Sequence, residues 1–125
     1  MITEDYVSFE TAKLLKENGF SSDEISCIKV FKGHTYKVHG TTIDADEDVT
    51  IPTIQLSMKW LRETHNLFVF PFPQMNANKF WVEIYQLSDN KEWENLYCES
   101  IDLKDYPLYE QACEAGIKYC LENLI

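Results

Sequence analysis

Asp44, Asp46, Glu47 and Asp48 crowd four carboxylates into five positions, the oxygen-rich density that a calcium loop requires. Such a loop also needs a tight-turning Gly at its sixth position and a chelating Glu at its twelfth. Val49 and Gln55 stand there instead. The run therefore reads as a solvated acidic loop, with no metal expected. His34 and His39 are five apart, which along a strand turns their side chains to opposite faces and away from a shared ion. His65 falls at the end of a helical pattern, where a packed or end-capping imidazole is expected. Cys113 and Cys120 share one helical face, but no CxxC or HxxxH pair completes a zinc site, so both read as core thiols. Cys98 has no basic neighbour in sequence to lower its pKa and make it a nucleophile. Glu83, Glu92, Glu94 and Glu99 supply carboxylates without a recognisable acid/base pair and read as a charged solvent face. No phosphate-cradling glycine loop, GxSxG elbow or HExxH helix is present. The expectation is a protein without catalytic, cofactor-binding or metal-binding residues.

Aromatic side chains carry more information. Trp60, Trp81, Tyr85, Trp93 and Tyr97 exceed what one small core must hold. Alternation through Phe80–Leu87 sets Trp81, Glu83, Tyr85 and Leu87 on one side of a strand and Phe80, Val82 and Ile84 on the other. If the second set faces helices, the first forms an exposed aromatic-acidic surface of the kind that marks partner binding. Leu56 joins the candidate surface from a helix, together with Trp60.

These side chains need elements to hold them. Ser8–Asn18 reads as a first helix, with Ser8 as N-cap, Val7 stapling onto Ala12, and Gly19 and Phe20 forming a left-handed stop against Leu15. Ile28–Val30 and Tyr36–Val38, joined through Lys32–His34, read as a β-hairpin. A central helix over Thr53–Thr64, capped by Thr50 or Thr53, carries Ile54, Met58, Leu61 and His65 on one stripe, with Leu56 and Trp60 to one side. Its apolar arc spans about 200°, wider than one core face needs. Asn66 is the expected C-cap. Leu67–Phe72 reads as a strand with Pro71 at an edge or an end, Phe80–Leu87 as the strongest strand and Trp93–Ser100 as another. A last helix is expected from Asp105 or Tyr106 to Leu124, with Ala112 and Gly116 leaving a flat patch for close packing. The order predicts a single α+β domain over residues 1–125. Its antiparallel sheet would have four to five strands, with three helices packed mostly on one face.

The chain has 125 residues, 45% hydrophobic and 14% aromatic, enough to fill a core. Its formal charge of −10 disfavours direct contact with nucleic-acid phosphates or anionic lipid, and no Lys/Arg cluster offsets it. No run approaches the length of a membrane span, and MITEDYVSFE has no basic segment leading into an apolar stretch. A cytoplasmic location with reduced cysteines is expected.

TAKLLKENGF, PTIQLSMKWLRETHN and YEQACEAGIKYCLENLI together resemble a group of small uncharacterised proteins of bacteriophages and integrated mobile elements of gut anaerobic bacteria. The resemblance covers the three helices and brings no catalytic residues. It implies an accessory protein working inside a bacterial cell. The leading expectation is a non-enzymatic protein that acts through protein–protein contacts at Leu56, Trp60, Trp81, Tyr85, Trp93 and Tyr97, as a homo-oligomer or with another protein. One alternative is an acidic nucleic-acid mimic that occupies a host DNA- or RNA-binding protein; another is a small enzyme with an unrecognised pocket.

Overall fold

The computed structural model describes residues 2–20, 27–31, 34–38, 49–75, 77–99 and 104–125, with 27–31 and 34–38 described by backbone. The Asp44–Asp48 run, His39 and the connection after Phe20 lie outside the described residues. Two compact units result, Met1–Ser57 and Met58–Ile125, with the boundary one turn into the central helix.

In the first unit, helix α1 (Phe9–Glu17) has both ends fixed by its own sequence. Ser8 Oγ accepts from Thr11 N–H at 3.2 Å. At the other end, Phe20 N–H reaches Leu15 O at 3.0 Å and Gly19 N–H reaches Lys16 O at 3.2 Å. This pair of bonds makes a Schellman stop, possible because Gly19 takes φ +96°. Strands β1 (Cys27–Phe31) and β2 (His34–Val38) form the expected hairpin. A third strand, β3 (Val49–Ile51), pairs antiparallel with β1 and gives the order β2-β1-β3.

Helix α2 (Ile54–His65) begins where Thr53 Oγ1 accepts from Leu56 N–H at 3.1 Å. Ile54, Met58 and Leu61 are buried on the expected stripe, while Leu56 and Trp60 are half-buried. Asn66 ends the helix at φ +58°, and its side-chain amide donates to Leu87 O at 3.1 Å.

The second unit carries strands β4 (Leu67–Pro73), β5 (Phe80–Leu87) and β6 (Trp93–Cys98), antiparallel in that order. Pro71 sits in β4, at an edge of the sheet, as its missing N–H requires. Helix α3 (Tyr109–Tyr119) continues into a π-helical turn, Cys120–Leu124, and packs on β4 and β5. Gly116 permits that approach. A methyl group there would collide with Val69 Cγ1 and come within 2.9 Å of Val82 Cγ2. Leu67, Val69, Val82, Ile84, Ala112, Cys113, Ile117 and Cys120 form the core.

The α+β class with antiparallel pairing and three helices stands, with two corrections. Each sheet has three strands, where one sheet of four to five was expected. The added strand β3 is short and is stabilised by distant pairing with β1. The last helix starts at Tyr109, not at Asp105 or Tyr106, because Tyr106 is still extended and exchanges two 2.7 Å backbone hydrogen bonds with Phe80.

That exchange explains a buried carboxylate. Strand β6 stops at Cys98, opposite Glu83, and among the described residues pairing with β5 resumes at Tyr106, opposite Phe80. Glu99 fills the interval. It is 1% exposed, its Oε1 accepts Val82 N–H at 3.1 Å and its Oε2 accepts the Tyr106 hydroxyl at 2.6 Å. A side chain thus substitutes for the missing rung of the ladder.

Candidate functional site: an open aromatic sheet face

Period-two alternation gives the β4–β5–β6 sheet two unlike faces. Leu67, Val69, Val82 and Ile84 are buried on the side where α3 packs. The opposite face is aromatic. Register places Phe68 beside Tyr85, Phe70 beside Glu83 and Phe72 beside Trp81, with Trp93 beside Leu87 and Asn95 beside Tyr85 on the third strand.

The rings interlock. Phe68 and Trp93 meet edge-on with centroids 4.9 Å apart, reaching across the middle strand. Phe70 lies 5.7 Å from Tyr85 and 6.4 Å from Trp93, both at steep angles, and Phe72 stacks on Trp81 at 5.9 Å. Edge-to-face and offset arrangements of this kind suit the ring quadrupoles. Trp93 remains 55% exposed and Phe70 37% exposed.

Glu83 lies within this array. Trp81 Nε1–H donates to one carboxylate oxygen at 2.9 Å and the Tyr85 hydroxyl to the other at 2.7 Å. Both donors stand two residues away on the same strand face, so one carboxylate orients two aromatic rings. The phenol of Tyr85 is pushed above its ordinary value of 10.0, first by this hydrogen bond and then by partial desolvation and the Glu83 charge. Within strands β4, β5 and β6, Glu83 is the one carboxylate alternating onto the face and none is Lys or Arg; just before β5, Lys79 pairs with Asp105 at 3.5 Å.

Of the residues expected on an interaction surface, the structure brings Trp81, Tyr85 and Trp93 together here. Tyr97 stands on the other face, opposite Ile84, and stacks on Tyr119 with centroids 3.7 Å apart. A register shift between Ile84 and Tyr85 separates it from its neighbours. Trp60 lies on α2 with its ring edge-on to His65 at 5.0 Å. Leu56 is half-buried in the first turn of α2. Phe68, Phe70 and Phe72 were not anticipated on the surface. Their signal is the strict alternation of LFVFPF, with Leu67 and Val69 inward and every second residue a phenylalanine.

Cys113 and Cys120 sit in packing roles, while Glu92 and Glu94 are exposed. Cys113 and Cys120 are fully buried, and burial pushes their thiols up to about 11 and about 12. Among the described residues no three His, Cys, Asp or Glu side chains gather as a metal site, and no helix is long and apolar enough to cross a membrane. Compared with known proteins, the chain matches no protein-family model, no curated protein and no solved structure.

Proposed function

We propose that the chain is a non-catalytic accessory module that docks a partner protein on the open aromatic face of the β4–β5–β6 sheet. One observation carries this reading. Six aromatic side chains, Phe68, Phe70, Phe72, Trp81, Tyr85 and Trp93, occupy the face opposite α3, where Phe70 and Trp93 stay substantially exposed. Covering the exposed half of an indole, roughly 100 Å², stabilises a complex by about 2 kcal/mol. Tryptophan and tyrosine are also the residues on which interface energy concentrates. Their mutual packing holds the rings in place, so a partner loses little to ordering them. The helix sequences suggest a phage or mobile-element origin, and a small docking module inside a bacterial cell fits that setting.

Site-specific photo-crosslinking tests the reading. A benzophenone side chain replacing Phe70 is expected to give a discrete protein adduct in cells of the source organism. The same group at Met75, exposed in the turn after β4, is expected to give none. Equal adducts from both positions, or none from position 70, would contradict the proposal.

A further inference from the structure

The docking face contains a groove with its own shape. Phe70, Phe72, Tyr85 and Trp93 line an open space of about 250 Å³. Phe70 stands at 65° to Tyr85 and 66° to Trp93, so ring faces and ring edges alternate across a shallow, open depression. The indole N–H of the exposed Trp93 donates to no acceptor among the described residues. Glu83 stands beside the groove, opposite Phe70, and each of its oxygens keeps a lone pair after accepting from Trp81 or Tyr85.

These features define the chemistry of an occupant. The backbone of β5 is paired on both sides, with β4 and with β6, so a segment lying across this face cannot join it as a strand. Side chains must do the holding. A polyproline II segment has no internal hydrogen bonds to satisfy and is extended before it binds. It offers flat pyrrolidine rings to aromatic slots and bare carbonyls to an indole N–H. The ring faces and the Glu83 carboxylate attract a guanidinium and repel acids. A second copy of this chain fits poorly, because face-to-face docking would oppose two Glu83 carboxylates between molecules of charge −10 each.

We propose that this groove binds a proline-containing extended segment of a partner protein, with an arginine of that segment set against Glu83. The inference rests on the docking-face reading and names its partner chemistry.

The test is an NMR titration of the full chain, following the Trp93 indole N–H, which a Trp93→Phe variant assigns. Three peptides of about ten residues, roughly 30 Å of polyproline II, serve as probes. One combines proline and arginine, one replaces proline by alanine at equal charge, and one replaces arginine by glutamate. The proline–arginine peptide is expected to bind saturably and move the Trp93 resonance. Both other peptides are expected to bind at least about thirtyfold more weakly, a loss in the range of an interface hot spot. Trp93→Ala should weaken binding by at least about tenfold, and Glu83→Gln should weaken the proline–arginine peptide while leaving the proline–glutamate peptide no weaker than before. Equal binding of the alanine–arginine peptide, shifts that bypass Trp93, or no binding would overturn the proposal. A crosslink at position 70 to another protein, with all three peptides inert, would leave the docking face standing and remove only this occupant. A crosslink to a second copy would do the same.

Discussion

The Tyr106 hydroxyl donates to Glu99 Oε2 at 2.6 Å, joining a residue just past the end of β6 to the residue that resumes pairing with β5. The carboxylate is 1% exposed and also accepts Val82 N–H, so it is a structural acid of the sheet. Tyr106→Phe should remove one of its two donors and destabilise the fold by about 1–3 kcal/mol, the scale of leaving a buried polar group one hydrogen bond short. A double-mutant cycle with Glu99→Gln should show coupling of about 1–2 kcal/mol in denaturant unfolding. Additive losses would show that the two side chains do not act together.

The same contact shapes the response to alkali. Burial first, then the hydrogen bond to Glu99, raises the Tyr106 phenol well above its ordinary 10.0. Burial also holds Cys113 and Cys120 at about 11 and about 12, against an ordinary 9.0. A group with a raised folded pKa keeps its proton in the native state after the unfolded chain has lost it, so stability falls as pH rises. The fold is therefore expected to hold its stability up to about pH 9 and lose it progressively through pH 12, where the cited thiol values end. A Cys113→Ala, Cys120→Ala variant should show a shallower decline between pH 9 and 12, measured by urea midpoints at each pH.

Gly116 and Gly19 should fail for different reasons. Gly116→Ala forces a methyl into Val69 and Val82, and overpacking of this kind costs about 1–3 kcal/mol. Gly19→Ala has open space around it but must hold φ +96°, a backbone cost of about 1–2 kcal/mol. Shortening Val69 to Ala, whose Cγ1 is the nearer clash, should partly rescue the first variant and not the second, as read from thermal midpoints of the singles and doubles.

Glu83 should tune Tyr85 without holding the fold together. Glu83→Gln is expected to bring the Tyr85 phenol back toward 10.0, because the accepting carboxylate is the first cause of its rise. Spectrophotometric titration of the phenols checks this. An unchanged Tyr85 transition would show that the 2.7 Å contact is not formed in solution.

Local signals were legible in the sequence, and distant ones were not. Ser8, Gly19 and Phe20 announce the ends of α1 because caps are made within a few residues of chain. Alternation sorted Val82 and Ile84 inward and Trp81 and Tyr85 outward, since a strand's period does not depend on its partners. Gly116 was readable as a close-approach site by size alone. Strand β3 was hidden because Val49–Ile51 is too short to show a period and depends on pairing with β1. Tyr106 was misread as helix because its bridge to Phe80 spans a long stretch of chain. Tyr97 parted from Tyr85 because a register shift cannot be counted from spacing. The candidate face was half visible: its tryptophans stood out, while three phenylalanines read as ordinary strand residues.

A face that serves docking and not folding can lose its exposed rings and stay folded, which a double variant checks. Phe70→Ser with Trp93→Ser removes the two most exposed rings of the face while sparing Val69, Val82 and Ile84 beneath it. A cooperative fold is expected, less stable than the parent by about 2–4 kcal/mol, since the two rings are 37% and 55% exposed and give up their contacts with Phe68, Phe72 and Tyr85. Loss of the partner adduct from a benzophenone placed at Phe72, beside them, is also expected. A folded double variant that still forms that adduct at parental yield would contradict docking on this face.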